Sequence, residues 1–193
     1  MKSIIPTVDF NNTGSEEQVV TGFKNQGVCV IKNVFSQSEC DHYMGQIVSN
    51  ISNIAPNSRI AGYYQNNQPV PLYQIQSDSV SKSKFNTIHD PPFTRPGLIQ
   101  ALFANLSAVW DVRTHDRVEQ VFDLLYKNLR DDYQNKLFVS GDGININPPV
   151  NIINADQDWS HVDLTTDQPW KCVQGQVVLT KTSAGFRCTP ESQ

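Results

Sequence analysis

Apolar and polar positions follow two different periods along the chain, and the change of period divides it. In residues 16–27, EEQVVTGFKNQG, Val19, Val20, Phe23 and Lys24 fall at helical spacing and Gly27 stands where a helix C-cap belongs. Residues 28–34, VCVIKNV, are short and β-branched, as a buried strand is. In FSQSECDHYMGQIVSNI, Ser36 or Ser38 can N-cap a helix, and Glu39 lies three residues after Ser36 as in a capping box. Cys40, Tyr43, Met44 and Ile47 recur on one face, so this helix is predicted to run to about Asn50. Residues 52–96 are polar and interrupted by Pro56, Pro69, Pro71, Pro91, Pro92 and Pro96, which predicts a long loop region with short strands. Leu98, Leu102, Leu106 and Val109, then Val118, Val121, Phe122 and Leu125, keep the 3.6 period and predict two amphipathic helices over residues 97–130. Asp116 stands near the second N-terminus, where its charge suits the helix dipole.

From Lys136 the period shortens. KLFVSGDGININPP, DWSHVDL, CVQGQVVLTKT and GFRCTP are short β-branched or alternating runs punctuated by Gly, Pro and Asp, the pattern of an antiparallel β-sheet domain. The chain therefore reads as one α+β domain over residues 1–193, with a helix-rich part in 1–135 and a β-rich part in 136–193.

Composition narrows the partners. A chain of 193 residues can bury a continuous core without cross-links. The net charge of −4, with no basic cluster, offers no electrostatic footprint for nucleic acid or an acidic membrane surface. No apolar run approaches the ~20 residues that cross a bilayer, and MKSIIPTVDFNN lacks the apolar centre of a signal peptide. The expectation is a soluble, cytoplasmic protein acting on a small molecule. Cys29, Cys40, Cys172 and Cys188 have no zinc-ligand spacing and are expected to be reduced core thiols. The sequons at Asn11 and Asn105 matter only in a secreted chain.

The chemistry gathers at His161-Val162-Asp163. In a strand, residues two apart share a face, so an imidazole and a carboxylate stand side by side and can fill adjacent positions on an octahedral metal ion. The facial triad of non-haem Fe(II) oxygenases uses such a pair with one distant histidine. The other reading, a His and an Asp making surface hydrogen bonds at a strand end, needs no metal. Asp142, Asn145 and Asn147 are candidates to line a pocket beside this strand; a turn with Asp-Gly and solvent-facing amides suits them better.

The order of the blocks is more specific than the dipeptide. Phe23, Gly27–Val34 and Phe35-Ser36-Gln37-Ser38-Glu39-Cys40, then GLIQALFANLSAVWDVRTHDRVEQVFDLLYKN, LFVSGDGININPP, HVD and VQGQVVLTKTSAGFRCTPES, resemble the phytanoyl-CoA dioxygenase-like family of Fe(II)/2-oxoglutarate oxygenases over about residues 20–193. The resemblance implies a double-stranded β-helix, the cupin-like jelly roll, with helices packed on it. It also implies Fe(II) and 2-oxoglutarate as cofactors, decarboxylating hydroxylation as the reaction, and His161 and Asp163 as metal ligands. Trp110 and Arg113 match a Trp-x-x-Arg of the family, best read as a core anchor and a buried charge-assisted hydrogen bond. Trp159 and Trp170 read as barrel packing, and Gly175 as a site of close strand approach.

The family's third ligand is a later histidine followed by an arginine that pairs with 2-oxoglutarate. This sequence has no histidine after His161, and Arg187 lies upstream of that arginine's place. His42 and His115 fall on or beside helices, with solvent or capping roles, and His89 in IHDPPF is a poor substitute. The chain is thus expected to be a shortened member, a natural truncation or a fragment, with an incomplete jelly roll and no turnover as given. A catalytically inactive binding or structural module and a cupin-type small-ligand binder are the alternatives. An unfinished barrel leaves a strand edge near Val173–Thr180, uncharged and free of proline, where self-association is expected.

Overall fold

The computed structural model describes residues 5–54, 64–65, 68–69, 93–95, 98–99, 102–141, 143–145, 172–181 and 188. Among these stand four α-helices, one 3-10 turn and seven short strands, a mixed α+β fold. The chain divides into two compact units. The first combines Met1–Cys40, Arg113–Val139 and His161–Gln193; the second combines Asp41–Val112 and Ser140–Ser160.

The first unit opens with strand β1 (Thr7–Asp9), helix α1 (Ser15–Gln26) and strand β2 (Val30–Lys32). The strands pair in parallel, Thr7 opposite Val30, Val8 opposite Ile31 and Asp9 opposite Lys32, and parallel neighbours need a crossover such as α1 between them. Local signals set the ends of that crossover. Asp9 turns the chain by accepting the N–H of Asn11 on its carboxylate and of Asn12 on its carbonyl. Gly14 takes the left-handed conformation, and Ser15, buried, donates its hydroxyl to the carbonyl of Phe10. Glu16 and Glu17 in the first turn and Lys24 in the last complement the helix dipole. At the other end Gly27, at φ 69°, donates its N–H to the carbonyl of Phe23, the C-cap that its position predicts.

The second half of this unit is helix α4 (Asp116–Leu129), which packs along α1. Val8, Val19 and Leu125 form the buried centre, with Phe23, Cys29, Ile31, Val121, Leu124, Leu129 and Val173 packed around it. Helix α1 contributes the Val19 and Phe23 predicted for its apolar face, and α4 the predicted Val121 and Leu125. After α4, Tyr133 stacks on Tyr126 with ring centroids 5.8 Å apart and donates its hydroxyl to Asp123, 2.8 Å away.

Helix α2 (Gln37–Ile54) starts in the first unit at the predicted capping box and runs four residues beyond Asn50. From Asp41 onward it belongs to the second unit, where Ile47, Val48 and Ile51 are buried. That unit also holds β3 (Tyr64–Gln65) paired antiparallel with β4 (Gln68–Pro69), and a three-stranded antiparallel sheet of β5 (Phe93–Arg95), β6 (Leu98–Ile99) and β7 (Ile144–Asn145). Then come the 3-10 turn Leu102–Asn105 and helix α3 (Ser107–Arg113), with Ala104, Ala108, Val109 and Val112 buried.

Two expectations are corrected here. The helix predicted from residue 97 to 113 forms only from Ser107. Leu98 belongs to β6, where it pairs with Arg95 and Asn145, and Leu102 to the 3-10 turn. Antiparallel pairing on both sides of β6 satisfies its backbone, and this wins over the helical period of Leu98, Leu102 and Leu106. Of the β-rich runs read in residues 136–193, residues 136–141 and 172–179 lie in no strand and β7 forms at Ile144–Asn145, while the HVD run and most of the remainder lie outside the described residues. A strand is stable only with a ladder partner, and composition alone supplies none.

Candidate functional site

His161 and Asp163, the residues assigned to the metal, lie outside the described residues, as do Asp142, Asn147, His89, Trp159, Trp170 and Arg187. Asn145 is described: it is exposed on β7, its backbone paired with Leu98. Trp110 and Arg113 are half-buried on α3. A Cβ on Gly141 would lie 3.8 Å from the Trp110 ring, which places the indole against the chain just before β7. Among the described residues no group of three or more His, Cys, Asp or Glu side chains is placed to hold a metal ion.

The remaining histidines take the helix roles expected of them. His42 is exposed on α2 and meets the Tyr43 ring edge-on at 5.6 Å. His115 is the N-cap of α4: its backbone is extended, and its Nδ1 accepts the backbone N–H of Arg117 at 3.2 Å. All four cysteines are free thiols, Cys29, Cys40 and Cys188 half-buried, and burial pushes the Cys29 thiol up. Cys172 corrects the expectation of core thiols, being exposed.

A polar cluster joins the start of α2 to the start of α4. The Ser36 N–H and hydroxyl each donate to Glu39 Oε2 at 2.8 Å, and the Glu39 N–H returns to the Ser36 hydroxyl at 3.3 Å, a complete capping box. The other carboxylate oxygen of Glu39 accepts from the Arg117 guanidinium. Arg117 also lies over the Phe35 ring, 5.3 Å from its centroid, and Phe35 meets the His115 imidazole edge-on at 4.7 Å. The Ser36 hydrogen bonds, with Arg117 behind them, hold the Glu39 carboxyl down to about 2. The Ser36-x-x-Glu39 spacing made the box legible in the sequence. The Arg117 partner, 78 residues away, had no sequence signal.

A second network lies on α4. Lys127 and Tyr133 both donate to Asp123, the lysine at 2.5 Å, and lower its carboxyl. Burial and then that same carboxylate push the Tyr133 hydroxyl up to about 12. Tyr126 accepts the N–H of Val173 at 2.9 Å on its hydroxyl, and a Cβ on Gly175 would come within 2.7 Å of the Phe122 ring tip. These contacts fasten residues 173–175 along α4, and the Gly175 contact is a close approach to a ring rather than to a strand. Beyond them Val177 and Val178 are exposed.

Shallow grooves mark the described surface. One runs between β1 and α1, past Pro6, Thr7, Glu17, Gln18 and Thr21. Another is acidic, bounded on α4 by Asp116, Glu119, Gln120 and Asp123. No helix among the described residues is long and apolar enough to cross a membrane. No protein-family model, no curated protein and no solved structure matches this chain.

Proposed function

We propose that the chain is of the non-haem Fe(II)/2-oxoglutarate oxygenase type, built on a jelly roll, with His161 and Asp163 supplying two metal ligands and a small organic molecule as substrate. The observation that carries this reading is the ordered series of sequence blocks that ends in His-x-Asp, a spacing that presents both donors on one face of a strand. The donor chemistry fits in kind: an imidazole and a carboxylate suit a divalent iron. It falls short in number, because the triad needs a third ligand. Bound iron with 2-oxoglutarate and dioxygen would supply hydroxylation; the part assigned to His161 and Asp163 is to hold two adjacent coordination positions.

A reading without turnover, as a binding or structural module of the same ancestry, is favoured by the histidine inventory. Besides His161 the sequence has three histidines, of which His42 stands exposed on α2 and His115 is engaged as a helix cap. Anaerobic titration with Fe(II), followed by addition of 2-oxoglutarate, separates the two. Weak iron binding that is lost in both His161→Ala and Asp163→Ala, with no visible charge-transfer band on adding 2-oxoglutarate, is the expected outcome for a two-ligand site. A band that disappears in His161→Ala would establish that another residue of this chain completes the triad. Iron binding unchanged in both variants would overturn the metal assignment.

A further inference from the structure

The cap of α4 is an unusual one. Ser, Thr, Asp and Asn are the common N-cap residues, and their oxygens accept a hydrogen bond at any physiological pH. His115 does the same task with Nδ1, which accepts the Arg117 N–H at 3.2 Å. An imidazole nitrogen accepts only while it carries no proton, so the geometry requires the neutral ring with its hydrogen on Nε2. The carbonyl of His115 meanwhile accepts from Val118 at 2.8 Å and Glu119 at 2.9 Å, so the whole first turn of α4 hangs on this residue.

We propose that His115 is a proton-sensitive latch: protonation of its imidazole removes the acceptor that caps α4 and loosens the junction between the starts of α2 and α4. Three features place the junction under its control. Arg117, whose backbone N–H the latch holds, is also the residue whose guanidinium reaches Glu39 and covers Phe35. Phe35 in turn rests against the imidazole itself. And the cationic ring would stand at the positive end of the α4 dipole, where a positive charge is unfavourable. The charged groups beside it on the first turn of α4 are Arg117, which repels a cation, and Asp116 and Glu119, which attract one; Glu39 is engaged with Arg117. None of the carboxylates restores the lost acceptor, because both nitrogens of an imidazolium are donors.

The test is local. Amide hydrogen exchange at Arg117 in the full chain, corrected for the intrinsic pH dependence of exchange, is measured across about pH 8 to 5.5, the range in which imidazoles titrate. Losing an N-cap weakens first-turn protection by roughly fivefold, so protection of Arg117 is expected to fall by about that factor on acidification while Leu125 in the core keeps its own. His115→Asn, whose side-chain oxygen caps without titrating, is expected to keep the protection at both ends of the range. Imidazole nitrogen chemical shifts provide an independent check, with Nδ1 unprotonated at the alkaline end. Equal protection of Arg117 at both pH values in the native chain would overturn the proposal, as would a neutral tautomer with its hydrogen on Nδ1. A fall of the same size in His115→Asn would overturn it too, because the pH dependence would then come from another group.

Discussion

The corner made by β1, α1, β2 and α4 and the segment 172–181 have similar apolar content, yet one is ordered by its neighbours in sequence and the other by what it lies against. In the corner each boundary has a local cause: the turn at Asp9, the left-handed Gly14 and Gly27, and the His115 cap. In the segment, Val173, Val177, Val178 and Leu179 have the composition of a strand, but residues 172–179 form no ladder, and the segment is held among others by a hydrogen bond to Tyr126 and by the seats of Val173 and Gly175. A helix closes its hydrogen bonds within its own span, whereas a strand needs a second strand.

The contrast is broken most directly by truncating one apolar side chain in each region. Leu125 is 4% exposed at the centre of the corner, and Leu125→Ala is expected to cost about 2–4 kcal/mol, the transfer loss of a leucine plus the cavity left behind. Val177 is 39% exposed, and Val177→Ala is expected to change stability by less than about 0.5 kcal/mol. Urea unfolding of both variants checks this. A loss at Val177 approaching that at Leu125 would mean that the segment contributes a core of its own.

The same contrast explains what could be read from the sequence. The C-terminal end of α1, the capping box of α2 and the apolar face of α4 were legible because each depends on residues within one or two turns: Gly27 on Phe23, Glu39 on Ser36, Leu125 on Val121. The start of α3 was misplaced because Leu98, Leu102 and Leu106 carry a helical period while β6 finds ladder partners on both sides, one of them Asn145, far along the chain. Likewise the Glu39–Arg117 ion pair and the Tyr126–Val173 bond join residues too far apart in the chain for any spacing to announce. For the candidate site, the chemistry of His161 and Asp163 was readable as a donor pair. A coordination sphere is a statement about where distant donors meet, and the spacing of two residues on one strand contains only part of it.

Two glycines sharpen the comparison at intermediate cost. Gly22 lies inside α1, where alanine would ordinarily stabilise a helix by about 0.5–1 kcal/mol. Its added Cβ would fall 2.7 Å from Cβ of Pro6, immediately before β1. A proline ring has no rotamer by which to retreat, so the strand or the helix must shift. Gly22→Ala is therefore expected to destabilise by about 1–2 kcal/mol in spite of the propensity gain. At Gly175 the added Cβ would meet the tip of the Phe122 ring, also at 2.7 Å, but that ring is half-buried and can swing. Gly175→Ala is expected to cost less than about 1 kcal/mol. Thermal unfolding of the pair ranks them. The reverse order would show the contact of the segment with α4 to be stiffer than the β1–α1 seam.

The smallest effect concerns the junction of α2 with α4, and it is read from pH rather than from a single stability value. The carboxyl of Glu39 lies at about 2 in the folded chain, held down first by the Ser36 N–H, then by the Ser36 hydroxyl and Arg117, against an ordinary value of 4.5. A carboxyl lowered by folding binds its proton more readily in the unfolded chain. Its contribution is therefore complete above the ordinary value and is lost as pH falls from there to about 2. Glu39→Gln preserves much of the capping box, since glutamine can also accept from the Ser36 N–H, but it has no charge to lose. The native chain is expected to be modestly the more stable at pH 7, and the two curves to converge towards pH 2. Asp123 and Asp132, whose carboxyls are also lowered, remain in both proteins and give them a common acid slope. Denaturation midpoints at half-unit steps from pH 6 to pH 2 measure the difference. Curves that stay parallel throughout would mean that the Ser36 and Arg117 bonds stabilise the neutral side chain as well as the charged one, and that the junction is held by the packing of Phe35 rather than by the Glu39 charge.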